Sequence, residues 1–510
     1  MRQKKKVREL HLIYGIPTPI IEVLLNIGTI MRRTRIVATV GPACDSIEQL
    51  SLLIDAGADV FRLNYSHDQP EDKTVIYERI RQLENEKERP IAILADLPGP
   101  KLRLGSFPGV IQLRPGETLR LHCGTSKMSN PSPSDLPVDY DALPSEISIG
   151  DPILLADGLI RLKVVDTDSN MIHCTIEDGG PVSSRKGVNV PGTIIDLPAI
   201  GPRDEAALNH ALQNGADYIA VSYVRSVEDL KPARDTISLH NQHVPVIAKI
   251  EHPAALDNLD DILDYADAVM VARGDLGVEI PLESVPIAQQ KIIDAGLSRG
   301  QPVIVATQML ESMTINPRPT RAEVSDVSTA IRHGATAVML SGETASGDHP
   351  ILAVETMAKI AQSSEESWTY EEGRPTSSEF RTTRAVAHAG VELARECGAV
   401  RIIVATEHGN APRLVSGYRP GMPVTAVTDR VRAARRTCLL PGVDSVLVEE
   451  KTRGSETMLG ALKVLAERGD IMQGDLVVSI SGSPLAMRGA TSTARLYRVG
   501  EGGQIHSSES

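Results

Sequence analysis

Lys249 and Glu251 close one short apolar segment, residues 246–251, and Asp275 closes another, residues 269–275. Buried parallel strands are built from apolar, β-branched residues, so ionisable residues at their ends indicate a chemical use. Side chains alternate along a strand, and residues two apart therefore project from the same face. The spacing predicts that an ammonium group and a carboxylate share one face, with a second carboxylate on the neighbouring strand.

Two carboxylates beside a cation are typical of a metal-assisted site. Mg2+ and Mn2+ bind one or two carboxylates while substrate and water complete an octahedron, so Glu251 and Asp275 are the predicted ligands. Two nearby cations, Arg62 and Lys249, indicate an anionic substrate, for which a phosphate is the best candidate. A purely structural ion pair at a strand end is the alternative, and it leaves the second carboxylate unexplained.

Further polar residues follow other predicted strands. They are Arg62, Asn64 and Ser66 on the second strand, Asp96 on the third, Thr307 on the seventh, and Ser341 and Glu343 after the eighth. Gly274 precedes Asp275 and lets backbone N–H groups face a bound carboxylate or phosphate without a Cβ in the way. The Ser-Gly-Glu turn after the eighth strand is equally typical of a structural turn, so it is left out of the predicted catalytic residues.

Eight strand-like segments alternate with amphipathic segments, which is the pattern of a parallel α/β domain. The strand-like segments end near residues 40, 66, 96, 224, 251, 275, 308 and 341. Gly57, Gly215 and Gly334 each end a helical segment and open a strand, which makes a weak internal repeat. Eight such units predict a (β/α)8 TIM barrel with its active site at the carboxyl ends of the strands. An open doubly wound sheet is the competing arrangement.

Other parts of the chain predict further domains. Residues 100–190 are rich in Pro, Gly, Ser and Asp and contain short alternating runs, which predicts an inserted small β-barrel lid domain over the active site. The catalytic barrel then comprises residues 31–99 and 191–364. A new α/β series predicts a C-terminal open α/β domain, residues 365–510, with regulation as one option for its role. Residues 1–30 are interpreted as a disordered extension or as the product of a start codon assigned too early.

The composition argues against several classes of protein. The formal net charge is −13 and the main body has no basic tract, which argues against a nucleic-acid-binding protein. No apolar run approaches the length of a membrane span. Five cysteines, at positions 44, 123, 174, 397 and 438, show neither metal-ligand spacing nor pairing. This usage is typical of a reducing compartment and predicts a cytoplasmic protein.

Seven blocks of the sequence closely resemble those of the pyruvate kinase family. They are FRLNYSH at 61–67, KGVNVPG at 186–192, KIE at 249–251, MVARGDLGVEIP at 270–281, ATQMLESM at 306–313, RPTRAE at 318–323 and MLSGETA at 339–345. The blocks follow the family's order through the predicted barrel, with an insert where that family carries its lid. The resemblance implies the glycolytic reaction in which phosphoenolpyruvate and ADP give pyruvate and ATP. It also implies a homotetramer, which no residue pattern here indicates.

The resemblance also implies roles for residues at the mouth of the barrel. Glu251 and Asp275 would hold Mg2+ or Mn2+, and the backbone of Gly274 and Asp275 would meet the substrate carboxylate. Lys249, with Arg62 beside it, would stabilise the phosphoryl group during its transfer.

The remaining implied roles concern the proton and the nucleotide. Thr307 would lie by the enolate carbon that takes the proton, and Asn64, His67, Arg103 and Lys186 would contact ADP and its metal. Two of these assignments have structural alternatives. His67 is also suited to cap the following helix, and Lys186 to be a solvated loop lysine.

One segment departs from the pattern of many family members. Those members read Asp-Thr-Lys-Gly-Pro-Glu after the third strand and need K+ there, whereas this chain has Lys101 at the glutamate position. Because a lysine ammonium can supply the charge of a bound monovalent cation, we predict activity without K+. The residues of the monovalent-cation site, which Lys101 would fill or make redundant, are Asn64, Ser66, Asp96 and Leu97. The alternative is that Lys101 points to solvent and K+ is still used.

The C-terminal domain departs further from the family pattern. In members that a sugar bisphosphate activates, a Ser/Thr-rich loop cradles a phosphate. The matching residues here, 406–412, contain Glu407 and lack two of the hydroxyls. Such a loop makes a poor phosphate nest, so regulation by another ligand and the absence of regulation are both open.

Two other functions compete with phosphoryl transfer. A metal-dependent aldolase or lyase that handles phosphoenolpyruvate or pyruvate also sets a Glu and an Asp around Mg2+, but it needs neither a nucleotide lid nor Lys249 beside the metal. A non-catalytic binding protein would be expected to lose Lys249, Glu251 or Asp275, and this sequence keeps all three.

Overall fold

The structure is a computed structural model that describes residues 32–156, 158–193, 195–366, 375, 381–449, 454–482 and 491–507. The predicted extension, residues 1–30, and most of the polar stretch after residue 364 lie outside the described residues. Within the described ranges, no helix is long and apolar enough to cross a membrane.

The described chain opens with three parallel strands and the two helices between them. The strands are β1 (Arg35–Thr39), β2 (Val60–Asn64) and β3 (Ala92–Asp96), and the helices are α1 (Ile47–Ala56) and α2 (Thr74–Glu86), the latter preceded by a 3-10 turn, Pro70–Lys73. The Ser46 side chain accepts a hydrogen bond from the backbone of Gln49 and so caps α1. Gly57, at a φ of 119°, ends that helix in the left-handed conformation and turns the chain into β2.

An insert of two sheets follows β3. Its elements are β4 (Val110–Leu113), β5 (Thr118–Cys123), β6 (Asp135–Val138), α3 (Leu143–Glu146), β7 (Pro152–Leu155), β8 (Ile160–Thr167), β9 (Met171–Asp178), β10 (Gly180–Ser183) and β11 (Val188–Asn189). Six strands form one sheet in the order β11-β7-β8-β9-β5-β6, and β10 pairs with β4 in the other. Alternate residues of β8 are buried, and the buried faces of the sheets share one hydrophobic cluster.

The barrel resumes after the insert. Its remaining strands are β12 (Tyr218–Val221), β13 (Val246–Ile250), β14 (Ala268–Ala272), β15 (Val303–Ala306) and β16 (Ala337–Leu340). Its helices are α4 (Pro202–Gln213), α5 (Lys231–Leu239), α6 (Pro253–Asp257), α7 (Leu259–Tyr265), α8 (Arg273–Glu279), α9 (Val285–Ser298), α10 (Arg321–His333), α11 (Gly342–Ala345) and α12 (Pro350–Glu366), with 3-10 turns at Val227–Asp229, Leu282–Ser284 and Glu311–Thr314. The eight strands form a closed barrel, in which β1 pairs with β16 in parallel.

The two faces of each barrel strand belong to different hydrophobic clusters. In β13, Val246, Ala248 and Ile250 pack outward with residues of the surrounding helices, whereas Ile247 points into the barrel interior. Lys249 continues the inward face of Ile247 towards the carboxyl end of the strand. The barrel is therefore filled with apolar side chains below and carries charged side chains at its mouth.

The C-terminal domain contains a second, open sheet. Its elements are α13 (Arg381–Glu396), β17 (Arg401–Ala405), α14 (Asn410–Gly417), β18 (Val424–Thr428), α15 (Val431–Arg436), β19 (Val443–Leu447), α16 (Gly454–Glu467), β20 (Leu476–Gly482), β21 (Thr491–Val499) and β22 (Ile505–Ser507), with 3-10 turns at Thr437–Leu439 and Glu501–Gly503. The strand order is β19-β18-β17-β20-β21-β22. The first four strands are parallel, and the last two are antiparallel.

Most barrel strands end before the predicted residue; β12, for example, ends at Val221 and not near residue 224. The largest differences from the sequence predictions lie in two places. The strand predicted to run through Asp275 ends at Ala272, and the chain then forms α8, so Asp275 lies in the first turn of a helix. Strands β21 and β22 were not predicted. The sequence of β21, TSTARLYRV, mixes polar and apolar residues, with two buried, four half-buried and three exposed positions, so it lacks the apolar run by which the other strands were found.

Candidate active site

The Lys249 ammonium is the centre of the polar cluster at the barrel mouth. It lies 3.0 Å from Glu251 Oε1 and 3.2 Å from Asp96 Oδ1, and it donates a hydrogen bond of 2.7 Å to Ser222 Oγ. Burial alone would lower the pKa of Lys249, but the two carboxylates outweigh it and raise that pKa. The group therefore keeps its charge in a buried position, where that charge acts strongly on a nearby anion.

The Glu251 and Asp275 carboxylates both accept hydrogen bonds from Tyr223. The Tyr223 backbone N–H donates to Glu251 Oε2 at 2.7 Å, and the Tyr223 hydroxyl donates to Asp275 Oδ1 at 3.4 Å. Burial raises the pKa of Glu251, the Lys249 charge lowers it, and the Asp275 charge raises it again. The two carboxylates thus repel each other when both are ionised.

The two carboxylates, joined through hydrogen bonds to Tyr223, are a donor set that fits a divalent cation. A cation between Glu251 and Asp275 would compensate both charges, and Asp275 is 31 % exposed, so it faces the open mouth. Among the residues that the structure describes, no group of three or more His, Cys, Asp or Glu side chains is arranged for a metal. Two carboxylates, with the other positions left to substrate and water, suit Mg2+ or Mn2+ better than a metal that needs a full protein cage.

Arg62 and Asp96 form the next layer of the site. The Arg62 guanidinium lies 2.7 Å from Asp96 Oδ2 and donates to Thr39 Oγ1 at 3.1 Å. Burial would raise the pKa of Asp96, but Lys249 and Arg62 outweigh it and lower that pKa. Asp96 therefore stays ionised and holds two cations, Arg62 and Lys249, at the same end of the barrel.

Thr307 and Gly274 meet on the far side of the mouth. Thr307 Oγ1 accepts a hydrogen bond of 2.7 Å from the Gly274 N–H, and Arg273 donates to the Thr307 carbonyl at 2.8 Å. Thr307 and Gln308 both have positive φ values, 69° and 52°, which non-glycine residues rarely adopt. Backbone strain of this kind persists only where surrounding contacts enforce it, and it is common at functional sites.

A Cβ on Gly274 would lie 3.3 Å from Thr307 Oγ1, so a side chain there would crowd the threonine. The Gly274 N–H is already bonded to this hydroxyl. Binding of a substrate carboxylate at Gly274 would have to replace that bond.

His67, one of the residues assigned to the nucleotide, lies among charged side chains. Burial lowers the pKa of His67; Asp68 opposes this, and Arg103, Lys73 and Arg62 lower it further. The His67 carbonyl accepts a hydrogen bond of 2.9 Å from Lys73 Nζ. The imidazole thus lies near three cations and the Asp68 carboxylate.

The structural alternative for His67, that of a helix cap, is not what the structure shows. Gln69 precedes the 3-10 turn, and its N–H donates to the Asp72 carboxylate at 3.0 Å. Lys186 is exposed beside the strand that returns from the insert, and its carbonyl accepts from the Leu104 N–H at 2.9 Å. An exposed position of this kind suits Lys186 both as a nucleotide ligand and as a solvated lysine.

The monovalent-cation residues and Lys101 are held by neighbouring contacts. Asn64 Oδ1 accepts from the Ser66 N–H at 3.0 Å, and the Leu97 carbonyl accepts from Ser222 Oγ at 2.8 Å. The Lys101 ammonium lies 3.4 Å from Asp275 Oδ1. The lysine therefore points towards the predicted metal ligand at the mouth of the barrel.

Gly99 explains how the loop before Lys101 reaches this position. Its φ is 72°, and a Cβ built on it would lie 2.5 Å from Ser222 Cβ. Only glycine fits both the conformation and the close approach.

Sequence reasoning missed Thr39, Ser222 and Tyr223. Ser222 and Tyr223 follow β12 directly, so polar residues after a buried strand were the available signal. Glu343, in the turn after the eighth strand, is fully buried and accepts hydrogen bonds from the Ser341 and Leu310 N–H groups.

Comparisons with known proteins show the family of the chain. Residues 31–354 match the model of the pyruvate kinase barrel domain, and residues 384–497 match that of the pyruvate kinase alpha/beta domain. The chain is 41% identical over 476 residues to pyruvate kinase 2 of Synechocystis, covering 92% of this chain and 79% of the relative. It is 39% identical to the pyruvate kinase of Mycobacterium intracellulare, covering 92% of this chain and 99% of the relative.

A solved structure shows the same fold. A pyruvate kinase from Cryptosporidium parvum superimposes with a TM-score of 0.85 at 33% sequence identity, covering 92% of this chain and 96% of that one. The family matches together span the barrel and most of the C-terminal domain, and they do not favour the aldolase alternative. The chain is a phosphotransferase that belongs to the pyruvate kinase family.

Proposed function

We propose that this chain transfers the phosphoryl group of phosphoenolpyruvate to ADP, giving pyruvate and ATP, with Mg2+ or Mn2+ as its divalent metal. The observation that carries the proposal is the cluster at the barrel mouth, where Lys249 lies 3.0 Å from Glu251 and the Asp275 carboxylate faces the opening. Membership of the pyruvate kinase family supports the choice of substrates.

In this proposal, Glu251 and Asp275 hold the metal. Neutralisation of charge and orientation of substrate oxygens are the chemistry that a bound divalent metal supplies. The Lys249 ammonium and the Arg62 guanidinium stabilise the negative charge of the phosphoryl group while its bond to the enol oxygen breaks and the bond to an ADP oxygen forms. Their fixed ion pairs to Asp96 orient both cations before substrate arrives.

The enolate that remains takes a proton at its methylene carbon to give pyruvate. Thr307 is proposed to lie by that carbon, and its strained backbone, with Arg273 on its carbonyl, supports a fixed position for the side chain. The substrate carboxylate is placed at the backbone of Gly274 and Asp275, in the first turn of α8.

ADP is placed between the barrel edge and the insert. Asn64 is the last residue of β2 and His67 follows that strand, while Arg103 and Lys186 lie on the two chain segments that lead into and out of the insert. These cations suit the phosphates of a nucleotide, and the insert would then cover the site during transfer.

Substitution of the buried carboxylate tests the metal assignment. Glu251→Gln should weaken Mn2+ binding by more than about 100-fold, since even a residue beside a metal ligand can cost that much. Free Mn2+ is measured by electron paramagnetic resonance without substrates. Glu283→Gln, on an exposed turn, is the matched control and should bind Mn2+ like the wild type. Equal binding by Glu251→Gln would remove Glu251 from the metal site.

We further propose that K+ is not required. Support comes from the Lys101 ammonium at the mouth, 3.4 Å from Asp275 Oδ1, and from Asp96, whose carboxylate already pairs with Arg62 and Lys249. Lys101→Glu should create a K+ requirement, because it removes the resident charge and adds an anion. Activity is compared with and without K+, and Lys163→Glu, exposed on β8, serves as the control. Unchanged K+ independence in Lys101→Glu would contradict the role of Lys101.

Three further proposals concern the location of the protein, its assembly and the limits of its domains. The five cysteines are free thiols, which supports a reducing, cytoplasmic location. A homotetramer is carried over from the family alone. The order of elements supports a barrel of residues 31–99 and 191–364, an insert of residues 100–190 and a C-terminal domain from residue 365.

A further inference from the structure

Tyr223 contacts both predicted metal ligands through different atoms. Its backbone N–H donates to Glu251 Oε2 at 2.7 Å, and its hydroxyl donates to Asp275 Oδ1 at 3.4 Å. Its φ of 53° lies in the left-handed region, which a tyrosine adopts only when surrounding contacts enforce it. This conformation, directly after β12, turns the N–H and the hydroxyl towards the two carboxylates.

The same hydroxyl is also bonded to the insert. Asn189 in β11 donates from Nδ2 to the Tyr223 hydroxyl at 3.3 Å and to Glu279 Oε1 at 3.0 Å. Asp275 and Glu279 belong to the same short helix, α8. The Asn189 amide and the Tyr223 hydroxyl therefore link the last strand of the insert to both ends of the helix that carries the metal ligand.

We propose that Tyr223 is a positioning residue that couples the position of the insert to the orientation of the Asp275 carboxylate. The proposal rests on the proposed function, because it assigns Asp275 to the divalent metal. The hydrogen bonds all point in one direction: the Asn189 amide donates to the Tyr223 hydroxyl, and that hydroxyl donates to the Asp275 carboxylate. Each bond in such a chain polarises the next, so the contact to Asp275 depends on the contact to Asn189.

The coupling has a consequence for binding. Free energy shared between two sites is reciprocal, so a nucleotide that draws the insert onto the barrel should tighten metal binding by the same factor as the metal tightens nucleotide binding. Without the hydroxyl, the two events should become independent.

The test measures Mn2+ binding directly, by the paramagnetic resonance of free Mn2+, with and without ADP. Tyr223→Phe removes only the hydroxyl and should weaken Mn2+ binding about tenfold, the usual cost of losing a residue that orients a metal ligand. It should also abolish the tightening by ADP. Tyr265→Phe, at the end of α7 and shortly before the start of β14, is the matched control and should leave both quantities unchanged.

Asn189→Leu separates coupling from simple support of Asp275. If the hydroxyl transmits the position of the insert, Asn189→Leu alone should weaken Mn2+ binding, and the double variant with Tyr223→Phe should be no weaker than Tyr223→Phe alone. Additive losses would overturn the coupling. Wild-type Mn2+ binding by Tyr223→Phe, with an unchanged melting temperature, would overturn the positioning role.

Failure of the proposed function gives a different result. If the wild type binds Mn2+ but forms no pyruvate from phosphoenolpyruvate and ADP, the reaction assignment fails while the binding data still decide the role of Tyr223. If the wild type forms pyruvate and Tyr223→Phe binds Mn2+ normally, only the positioning role fails.

Discussion

The Lys249 ammonium stays charged although burial alone would lower its pKa. Asp96 and Glu251 raise its pKa against the effect of burial, and Ser222 fixes the ammonium with a 2.7 Å hydrogen bond. A charge held this way needs no reorganisation when the substrate becomes more negative in the transition state. We therefore propose that the acids around Lys249 serve catalysis, because they keep the cation both charged and fixed.

Replacement of this cation by an apolar side chain of similar length separates catalysis from metal binding. Lys249→Met should lower kcat by at least about 100-fold, the usual cost of removing one transition-state contact. Mn2+ binding should not weaken, because the variant removes a positive charge that lies 3.0 Å from Glu251. Steady-state rates and Mn2+ titration give the two values. The control is Lys231→Met, which replaces an exposed lysine on α5 and should leave kcat and Mn2+ binding as in the wild type. A Lys249→Met enzyme with normal kcat would contradict the proposed role of Lys249.

Sequence reasoning brought Lys249, Glu251, Asp275, Arg62 and Thr307 to one place, but it missed Tyr223. The first group could be found because each residue breaks an apolar pattern at the end of a strand. The contacts of Tyr223 depend on a positive φ and on Asn189, which lies 34 positions earlier in the chain. Neither a strained backbone angle nor a contact between the insert and the barrel leaves a periodic signal in the sequence.

At the level of elements, the ends of the barrel strands away from the active site are held by buried ion pairs. Asp59, just before β2, lies within 3.1 Å of Arg32, Arg35 and Arg89, and it also accepts from the Ile36 N–H at 2.9 Å. Burial would raise the pKa of Asp59, but the three guanidinium groups outweigh it and lower that pKa to about 2. The Asp59 carboxylate is therefore a specific support for the start of the barrel.

The stability of the protein should depend on pH through this group. Because its folded pKa is below the unfolded value of 3.8, Asp59 stabilises the fold fully above about pH 4, and this contribution is lost as pH falls towards about 2. The difference in pKa corresponds to about 2 kcal/mol. Asp59→Asn should lower the urea midpoint at pH 7 and flatten its decline between pH 4 and 2. Asp55→Asn is the control, because it removes an exposed carboxylate of α1 that pairs with Lys87. An unchanged midpoint in Asp59→Asn would contradict the assignment.

The barrel strands were predictable and parts of other elements were not. Runs of apolar residues with polar ends located all eight strands, since each strand is buried on both faces. The segment after β14 was assigned to the strand because Arg273, Gly274 and Asp275 continue it in sequence. The carbonyl of Thr307 and the carboxylate of Asp326 bind Arg273 in the structure, and these long-range contacts turn the chain into α8.

The loop after β17 illustrates the same limit in the C-terminal domain. Its composition indicated a poor phosphate nest, and Glu407 indeed forms an ion pair with Arg430 in the structure. Gly409, at a φ of 93°, leads into α14. The acidic side chain thus has a structural partner that sequence spacing alone did not indicate.

At the scale of the whole molecule, the C-terminal domain closes the end of the barrel opposite to the active site. Cys438 and Leu439 pack in the same apolar cluster as the inward-facing barrel residues. Arg435 binds both oxygens of Glu84 on α2, at 2.9 Å from its Nε, and Arg35 donates to the Leu440 carbonyl at 2.7 Å. The two domains therefore share a core and a set of buried polar contacts.

Loss of the Arg435 contact should weaken this connection. Arg435→Ala leaves the buried Glu84 carboxylate without its bidentate partner, so we expect a loss of about 2 kcal/mol and a melting temperature lower by several degrees. Catalysis at low temperature should persist, since the contact is remote from the mouth. Differential scanning calorimetry provides the measurement. The control is Arg432→Ala, which replaces an exposed arginine of the same helix that donates to Gln242. Equal melting temperatures for the two variants would contradict the interdomain role of Arg435.

The most direct test of the account is the rate of pyruvate formation from phosphoenolpyruvate, ADP and Mg2+ in a buffer free of K+, repeated after K+ is added. We predict full activity in both buffers, with Lys101 supplying the charge that K+ would bring. Activity that appears only with K+ would contradict the role of Lys101 and leave the phosphoryl transfer intact. Absence of pyruvate in both buffers would contradict the central claim that the cluster of Lys249, Glu251 and Asp275 catalyses this reaction.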